Sequence, residues 1–169
     1  MDTNIKYIDL LLKSNSEQQM LENANDISSS ISLKTLSGLN IHNYKYTPDI
    51  AIEELGIDSS LIEQLVDDYI NQIIKSCISF IEYLGELQDL KIYTNNLDYT
   101  ILRELAHKNL GVAKNLRIID LQKILEKIMT EDDLEYLTKC VECLCARGIL
   151  LNPKQAYNTI RLIQVKDTF

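Results

Sequence analysis

The sequence predicts an all-α protein, and its composition and its apolar spacing carry that prediction. Only 5 glycines and 2 prolines interrupt the 169 residues, whereas a β fold with many turns needs such residues at its turns. Hydrophobic residues make up 46% of the chain and charged residues 25%, which is enough apolar material for a packed core. Apolar residues also recur at helical spacing over several long segments. We therefore expect an antiparallel, up-and-down four-helix bundle with short additional N-terminal helices.

The N-terminal residues, 1–45, carry the weakest helical signals. Residues 4–13 have the pattern of a short amphipathic helix, and the Ser-Asn-Ser sequence at 14–16 can end it and cap a second, weak helix over about residues 17–28. The alternation of apolar and polar residues at 31–34 suggests a short extended piece. We expect residues 1–45 to form an appendage or linker with moderate order at best.

The compact bundle is expected over residues 46–150. Thr47 followed by Pro48 is a helix-start signal, and the short helix that it begins should end at Gly56. Asp58 then caps a long helix whose apolar face is wide enough for a bundle core. Three further helices are predicted over residues 98–114, 118–129 and about 131–147, the last of them ending at Gly148. A C-terminal tail over 151–169 follows, in which Asn152-Pro153 can begin a short helix.

Charge and cysteine content limit the partners and cofactors of the protein. The formal net charge is -8 and the sequence pI is about 4.8, which disfavours nucleic acid and anionic membranes as partners. No apolar run reaches the roughly 18 residues of a membrane span, and the N-terminus lacks the pattern of a secretory signal, so we expect a cytoplasmic location. The 4 cysteines are expected to be small core residues in a reducing environment rather than metal ligands. We predict no metal and no cofactor.

The most informative segment surrounds His107, one of only 2 histidines. At 100° per residue several neighbours share its helix face, and the core is expected opposite. These neighbours are Thr100, Arg103, Gly111 and Lys114. A glycine within a helix costs about 1 kcal/mol relative to alanine, and here it leaves the ring open to an approaching protein. Imidazole is partly neutral and nucleophilic near neutral pH, so it can accept a phosphoryl group. From spacing alone, the simpler interpretation is a surface histidine on a basic helix face.

The same segment resembles the signature of the histidine-containing phosphotransfer (Hpt) domain family of two-component phosphorelays, which reads roughly Ala-His-x-Leu-Lys-Gly-x-Ala-x-Asn-Leu/Phe-Gly. The matching residues are Ala106, His107, Gly111, Ala113, Asn115 and Leu116. The order of the helices around the segment also resembles that family, and the resemblance covers residues 46–150. It implies a phosphoryl carrier without catalytic activity of its own. His107 would accept a phosphoryl group from an aspartate of a response-regulator receiver domain or a hybrid histidine kinase, and the receiver would supply the magnesium ion.

Two positions depart from the family pattern. Asn109 stands where leucine is usual, in a position that should turn toward the core and need a hydrogen-bond partner there. Leu110 stands where a lysine usually counters the phosphate charge of roughly −1.5 to −2, and it should add an apolar group to a docking surface shared with Thr100 and Gly111. The residues predicted to supply the missing positive charge are Arg103, Lys108 and Lys114.

Two other functions stay open at this point. A degenerate Hpt-like module would dock receiver or kinase domains without accepting phosphate. A helical oligomerisation scaffold would use residues 1–45 as its dimerising arm, and the sequence leaves the oligomeric state open. A metal-dependent hydrolase is disfavoured, because 2 histidines cannot provide the usual cluster of ligands.

Overall fold

The protein is all-α throughout the part of the chain that the structure describes. A computed structural model describes residues 11–167, and the side chains of residues 11–165. Every regular element within these residues is a helix, which confirms the predicted all-α class. The α-helices that lie wholly within them are α1 (Glu17–Leu33), α2 (Asp49–Leu55), α3 (Ser59–Lys91), α4 (Thr100–Leu116), α5 (Ile119–Thr130), α6 (Leu134–Leu151) and α7 (Pro153–Asp167). A single 3₁₀ turn, Ser37–Leu39, follows α1.

Local side-chain signals set the ends of several helices, as predicted. The Ser16 hydroxyl accepts a hydrogen bond from the Gln19 N–H at the start of α1, at 3.1 Å. The Asp58 carboxylate accepts one from the Leu61 N–H at the start of α3, at 2.8 Å. Gly56 ends α2 with a φ of 66°, in the left-handed region that favours glycine.

Two helices continue through a glycine, and at one of these glycines, Gly148, the sequence predicted an end. α3 continues through Gly85 to Lys91, and α6 continues through Gly148 to Leu151. The reason at Gly148 is a close approach between helices. A Cβ atom added there would lie 2.6 Å from Cγ2 of Ile73 on α3. This glycine therefore allows α6 to pack closely against α3, and the prediction that it ends the helix is wrong.

The segment before the bundle packs as part of the helical body. α1 extends to Leu33, so the extended piece predicted at 31–34 is wrong. One face of α1 is buried and contributes to the same apolar core as the later helices. Its buried apolar residues are Met20, Ala24, Ile27 and Ile31. This face of α1 packs against α6, so the helix belongs to the same packed body as the later helices. The helix predicted at 4–13 lies mostly outside the described residues.

The core is enclosed by a cycle of neighbouring helices. α4 packs against α3 and α5, and α6 packs against α3 and α5. α7 lies against α1, α3 and α6, so the predicted C-terminal tail is a helix docked on the body. Within residues 11–167, no helix has both the length and the apolar character that crossing a bilayer requires.

A buried ion pair ties α5 and α6 to the segment that follows α1. Nη1 of Arg147 donates to the Asp120 carboxylate at 2.9 Å, and Nη2 donates to the Ile41 carbonyl at 2.8 Å. Both charged side chains are about 6% exposed. Burial raises the pKa of Asp120, although the Arg147 guanidinium opposes that shift. Removal of one partner would leave a buried charge without compensation.

The cysteines differ from the prediction of four reduced core residues. Cys77 of α3 and Cys145 of α6 form a disulfide, with their Cα atoms 6.0 Å apart. Cys140 and Cys143 are buried free thiols, and burial raises the pKa of Cys143 to about 11. The described His, Cys, Asp and Glu residues include no group of three or more that could hold a metal ion.

Candidate functional site

The candidate site lies midway along α4. The Asp98 carboxylate accepts the Thr100 N–H at the start of the helix, at 2.9 Å, and the helix ends at Arg117, whose φ is 60°. His107 is exposed between these ends. Gly111, one turn further on, is also exposed, and no atom lies within 4 Å of the position that a Cβ would occupy there. The imidazole ring therefore has an open approach from the C-terminal side.

The buried side of α4 is not centred directly opposite His107, as helical phase alone predicted, but is shifted around the helix toward Leu110. Its buried residues are Leu102, Ala106, Asn109, Leu110, Ala113 and Leu116. Leu110 is only 7% exposed, so the expectation that it presents an apolar group on a docking surface is corrected. It lies two turns after Arg103 on the same side of the helix, and this side is covered.

Asn109 fixes the register of α4 against α3. Its Nδ2 donates to the Ser76 hydroxyl at 2.9 Å and to the Leu105 carbonyl at 2.9 Å. Its Oδ1 accepts from Nε2 of Gln72 at 3.1 Å. The Asn109 carbonyl accepts the Tyr69 hydroxyl at 2.8 Å, and burial raises the pKa of that phenol. The prediction that this fully buried amide needs partners in the core is confirmed.

Arg103 is engaged within the protein. Its guanidinium donates to the Asp132 carboxylate and to the Glu131 carbonyl, in the connection between α5 and α6. It also lies 5.5 Å from the centroid of the Tyr99 ring. A cation already paired in this way contributes less charge to a phosphate than a free one. Both hydrogen bonds of Arg103 use Nη2, so its predicted role beside a phosphorylated His107 would fall to a guanidinium that is already in an ion pair.

The other predicted residues are exposed near His107. Lys108 and Lys114 form no ion pair with any residue that the structure describes. Thr100 is exposed as well, but its hydroxyl donates to the Asp98 carboxylate. Lys108 lies on the side of α4 that faces α3, where it lines a shallow groove together with Lys75.

Sequence reasoning missed the contribution of α3 to this surface. Gln72 and Ser76 hold Asn109, and Lys75 lies between them in sequence. No local signal in the sequence pairs these positions, because the pairing depends on how α3 and α4 slide past each other. Asn109 was the one indication in the sequence, because a polar residue on an otherwise apolar helix face needs a hydrogen-bond partner on the helix that packs against it.

His42, the other histidine, lies outside this site. It is exposed in the segment between α1 and α2 and lines a cleft of about 410 Å³ whose lining includes Asp120 and Arg147. It has no neighbouring set of metal ligands among the described residues.

In comparisons with known proteins, no family model, no curated protein and no solved structure matches this chain.

Proposed function

We propose that the protein is a histidine phosphotransfer protein that accepts a phosphoryl group on His107 and passes it on in a two-component phosphorelay. The observation that carries the proposal is an exposed imidazole midway along α4 with an open approach at Gly111. The motif around His107 resembles the Hpt signature, and this resemblance is the reason for proposing phosphoryl transfer as the reaction of the exposed histidine.

The proposed reaction needs only a positioned nucleophile from this chain. A neutral imidazole nitrogen of His107 attacks the phosphorus of a receiver's aspartyl phosphate. The N–P bond forms as the P–O bond to the aspartate breaks, and the carboxylate leaves with the electron pair. The ring holds the extra positive charge until its remaining N–H loses a proton to solvent. The onward transfer reverses these steps on a second receiver.

The arrangement of α3 to α6 supports the fold that this proposal requires, an antiparallel up-and-down four-helix bundle. Residues of α3 meet α6 in opposite order along the chain: Ile73 lies opposite Gly148, and Cys77 opposite Cys145. α4, α5 and α6 follow one another through connections of two or three residues. Connections this short favour antiparallel neighbours.

The partners that we propose are a response-regulator receiver domain, a hybrid histidine kinase, or both. The proposed role is that of a carrier rather than an enzyme, in the cytoplasm, where such partners present their receiver domains. The buried position of Cys77 and Cys145 would restrict access of cytoplasmic thiols to their disulfide.

One alternative rests on a specific observation. The usual lysine is replaced by the buried Leu110, and Arg103 is paired with Asp132. A site in which neither of these two positions offers an unpaired cation would dock a receiver without accepting phosphate. A scaffold dimerised through the N-terminal segment has less support, because the buried face of α1 already packs against α6.

Radiolabel transfer from a panel of phosphorylated receivers tests the proposal. We expect at least one receiver to label the wild-type protein, and we expect His107→Gln to abolish the label. His42→Gln is the matched control and should be labelled like wild type, since His42 lies in another part of the fold. Stable binding of a receiver without any label would favour the docking alternative.

A further inference from the structure

We propose that Lys75 of α3 and Lys108 of α4 form the cationic half of the receiver-docking surface, and that together they replace the lysine missing at position 110. This inference rests on the proposed function and assigns its docking surface to the groove between α3 and α4. The juxtaposition that carries it is two lysines without ion pairs lining one groove beside an exposed histidine.

One flank of His107 is closed. Leu110 lies about 60° around the helix from His107 and is buried. Arg103, on the same side, is held by Asp132 and Glu131. A partner that approached over this flank would find an apolar side chain with little exposed surface and a guanidinium that is already neutralised.

The opposite flank is open. Lys108 lies about 100° around from His107, toward α3, and it is exposed. Glu104 and Gly111 lie between these two directions and are exposed as well. The accessible surface around the imidazole is therefore centred toward α3, rather than on His107 itself as helical phase had suggested.

The hydrogen bonds of Asn109 bring Lys75 to this flank. Gln72 and Ser76, which bracket Lys75 on α3, both bond to the buried Asn109 amide. This places the exposed Lys75 at the rim of the interface, where it lines the same groove as Lys108 and Leu105. The register of α3 on α4 therefore sets the position of the second lysine.

Charge complementarity identifies the occupant of the groove. Neither lysine pairs with a described acidic residue, although the groove also contains Asp68, which accepts a hydrogen bond from Gln64. The groove is lined by these two lysines and one aspartate, so its charged side chains are mostly positive, whereas the protein as a whole has a net charge of -8. Their counterpart is an anionic partner surface, and the aspartyl phosphate of a receiver supplies such a surface in the proposed function.

The test measures the rate of transfer from a phosphorylated receiver that labels the wild-type protein. We expect Lys75→Gln and Lys108→Gln each to slow transfer by roughly threefold to tenfold at low salt, and we expect the difference from wild type to shrink as salt rises. Lys75→Arg should keep most of the rate. Lys91→Gln is the matched control, since it removes the same charge from the same helix roughly 24 Å away, beyond the screening length.

The outcomes separate this inference from the proposed function. A labelled wild type whose rate is unchanged by Lys75→Gln would overturn the assignment of Lys75 and leave phosphotransfer standing. Equal slowing by Lys75→Gln and Lys91→Gln would also overturn it, because only net charge would then matter. A wild type that no receiver labels would count against phosphotransfer itself. In that case, receiver binding is measured instead. If Lys75→Gln weakens binding and Lys91→Gln does not, the groove is still assigned as the docking surface. If the two variants bind a receiver equally well, that assignment is overturned.

Discussion

Substitution of Gly148 by alanine should destabilise the protein although alanine is the better helix former. The added Cβ would lie 2.6 Å from Cγ2 of Ile73, whereas ordinary van der Waals contact begins near 3.4 Å. Ile73 is fully buried and β-branched, so its methyl group cannot easily turn away. Overpacking of this kind costs about 1–3 kcal/mol, and the helix propensity of alanine returns about 1 kcal/mol. The net loss in the free energy of unfolding is then between about 0 and 2 kcal/mol, and the 2.6 Å approach to a buried β-branched side chain favours the upper part of that range.

Urea unfolding followed by circular dichroism measures this effect. Gly111→Ala is the matched control: Gly111 is also within a helix, but no atom lies near its missing Cβ, so this variant should gain about 0.5–1 kcal/mol. In an Ile73→Ala background the clash is removed, and Gly148→Ala should become neutral or stabilising, with a coupling energy of about 1–3 kcal/mol. Equal stabilisation by Gly148→Ala with and without Ile73 would refute the packing argument.

Three further changes have expected outcomes of their own. Leu110→Lys should lower the free energy of unfolding by about 2 kcal/mol or more in urea titrations, because it places an ammonium group where a leucine is 7% exposed. Unchanged stability would show that the lysine side chain reaches solvent. The Cys77–Cys145 disulfide closes a loop of 68 residues, so its reduction should lower the free energy of unfolding by up to about 4 kcal/mol. Urea unfolding with and without reductant measures this difference, and identical unfolding curves would show that the disulfide does not stabilise the protein. Hydrogen bonds from the Leu61 N–H and the Ser60 hydroxyl lower the pKa of Asp58 in the folded protein. The ionised carboxylate therefore stabilises the fold fully above the ordinary aspartate pKa, and this stabilisation is lost as the pH falls through the lowered pKa of the folded state. Asp58→Asn should therefore lose less stability than wild type between neutral and acidic pH, and an equal loss would exclude the cap as the cause.

Features that depend on a few neighbouring residues were predictable from the sequence. Ser16 and Asp58 cap their helices through backbone groups three residues away, and Gly56 ends α2 in a conformation that glycine adopts readily. The exposure of His107 followed in the same way from the 3.6-residue period of its own helix.

Features that depend on packing between distant segments were not predictable. Gly148 has the local pattern of a helix stop, but it lies against Ile73, a residue 75 positions earlier in the chain. Helical phase gives the direction in which Leu110 points but not how far the neighbouring elements cover α4, so its burial was missed. The weak periodicity of α1 likewise gave no indication that Met20 and Ile27 would enter the common core.

The surface beside His107 contains residues of both kinds, some predictable from the local sequence and some not. Lys108 and Lys114 could be identified from α4 alone, because they belong to the same helix as His107. Lys75 could not, since its position follows from the contacts of Asn109 with Gln72 and Ser76. The charge of Arg103 was expected to be available, but its pairing with Asp132 spans the connection between α5 and α6.

The most direct measurement of the central claim is the position of the phosphoryl group after incubation with a phosphorylated receiver. Peptide mapping by mass spectrometry at alkaline pH, where a phosphoramidate persists, would locate it. The proposed function predicts a single modified residue, His107, within the α4 peptide, and loss of the modification after brief acid treatment. A phosphoryl group on any other residue, or none with every receiver tested, would contradict it.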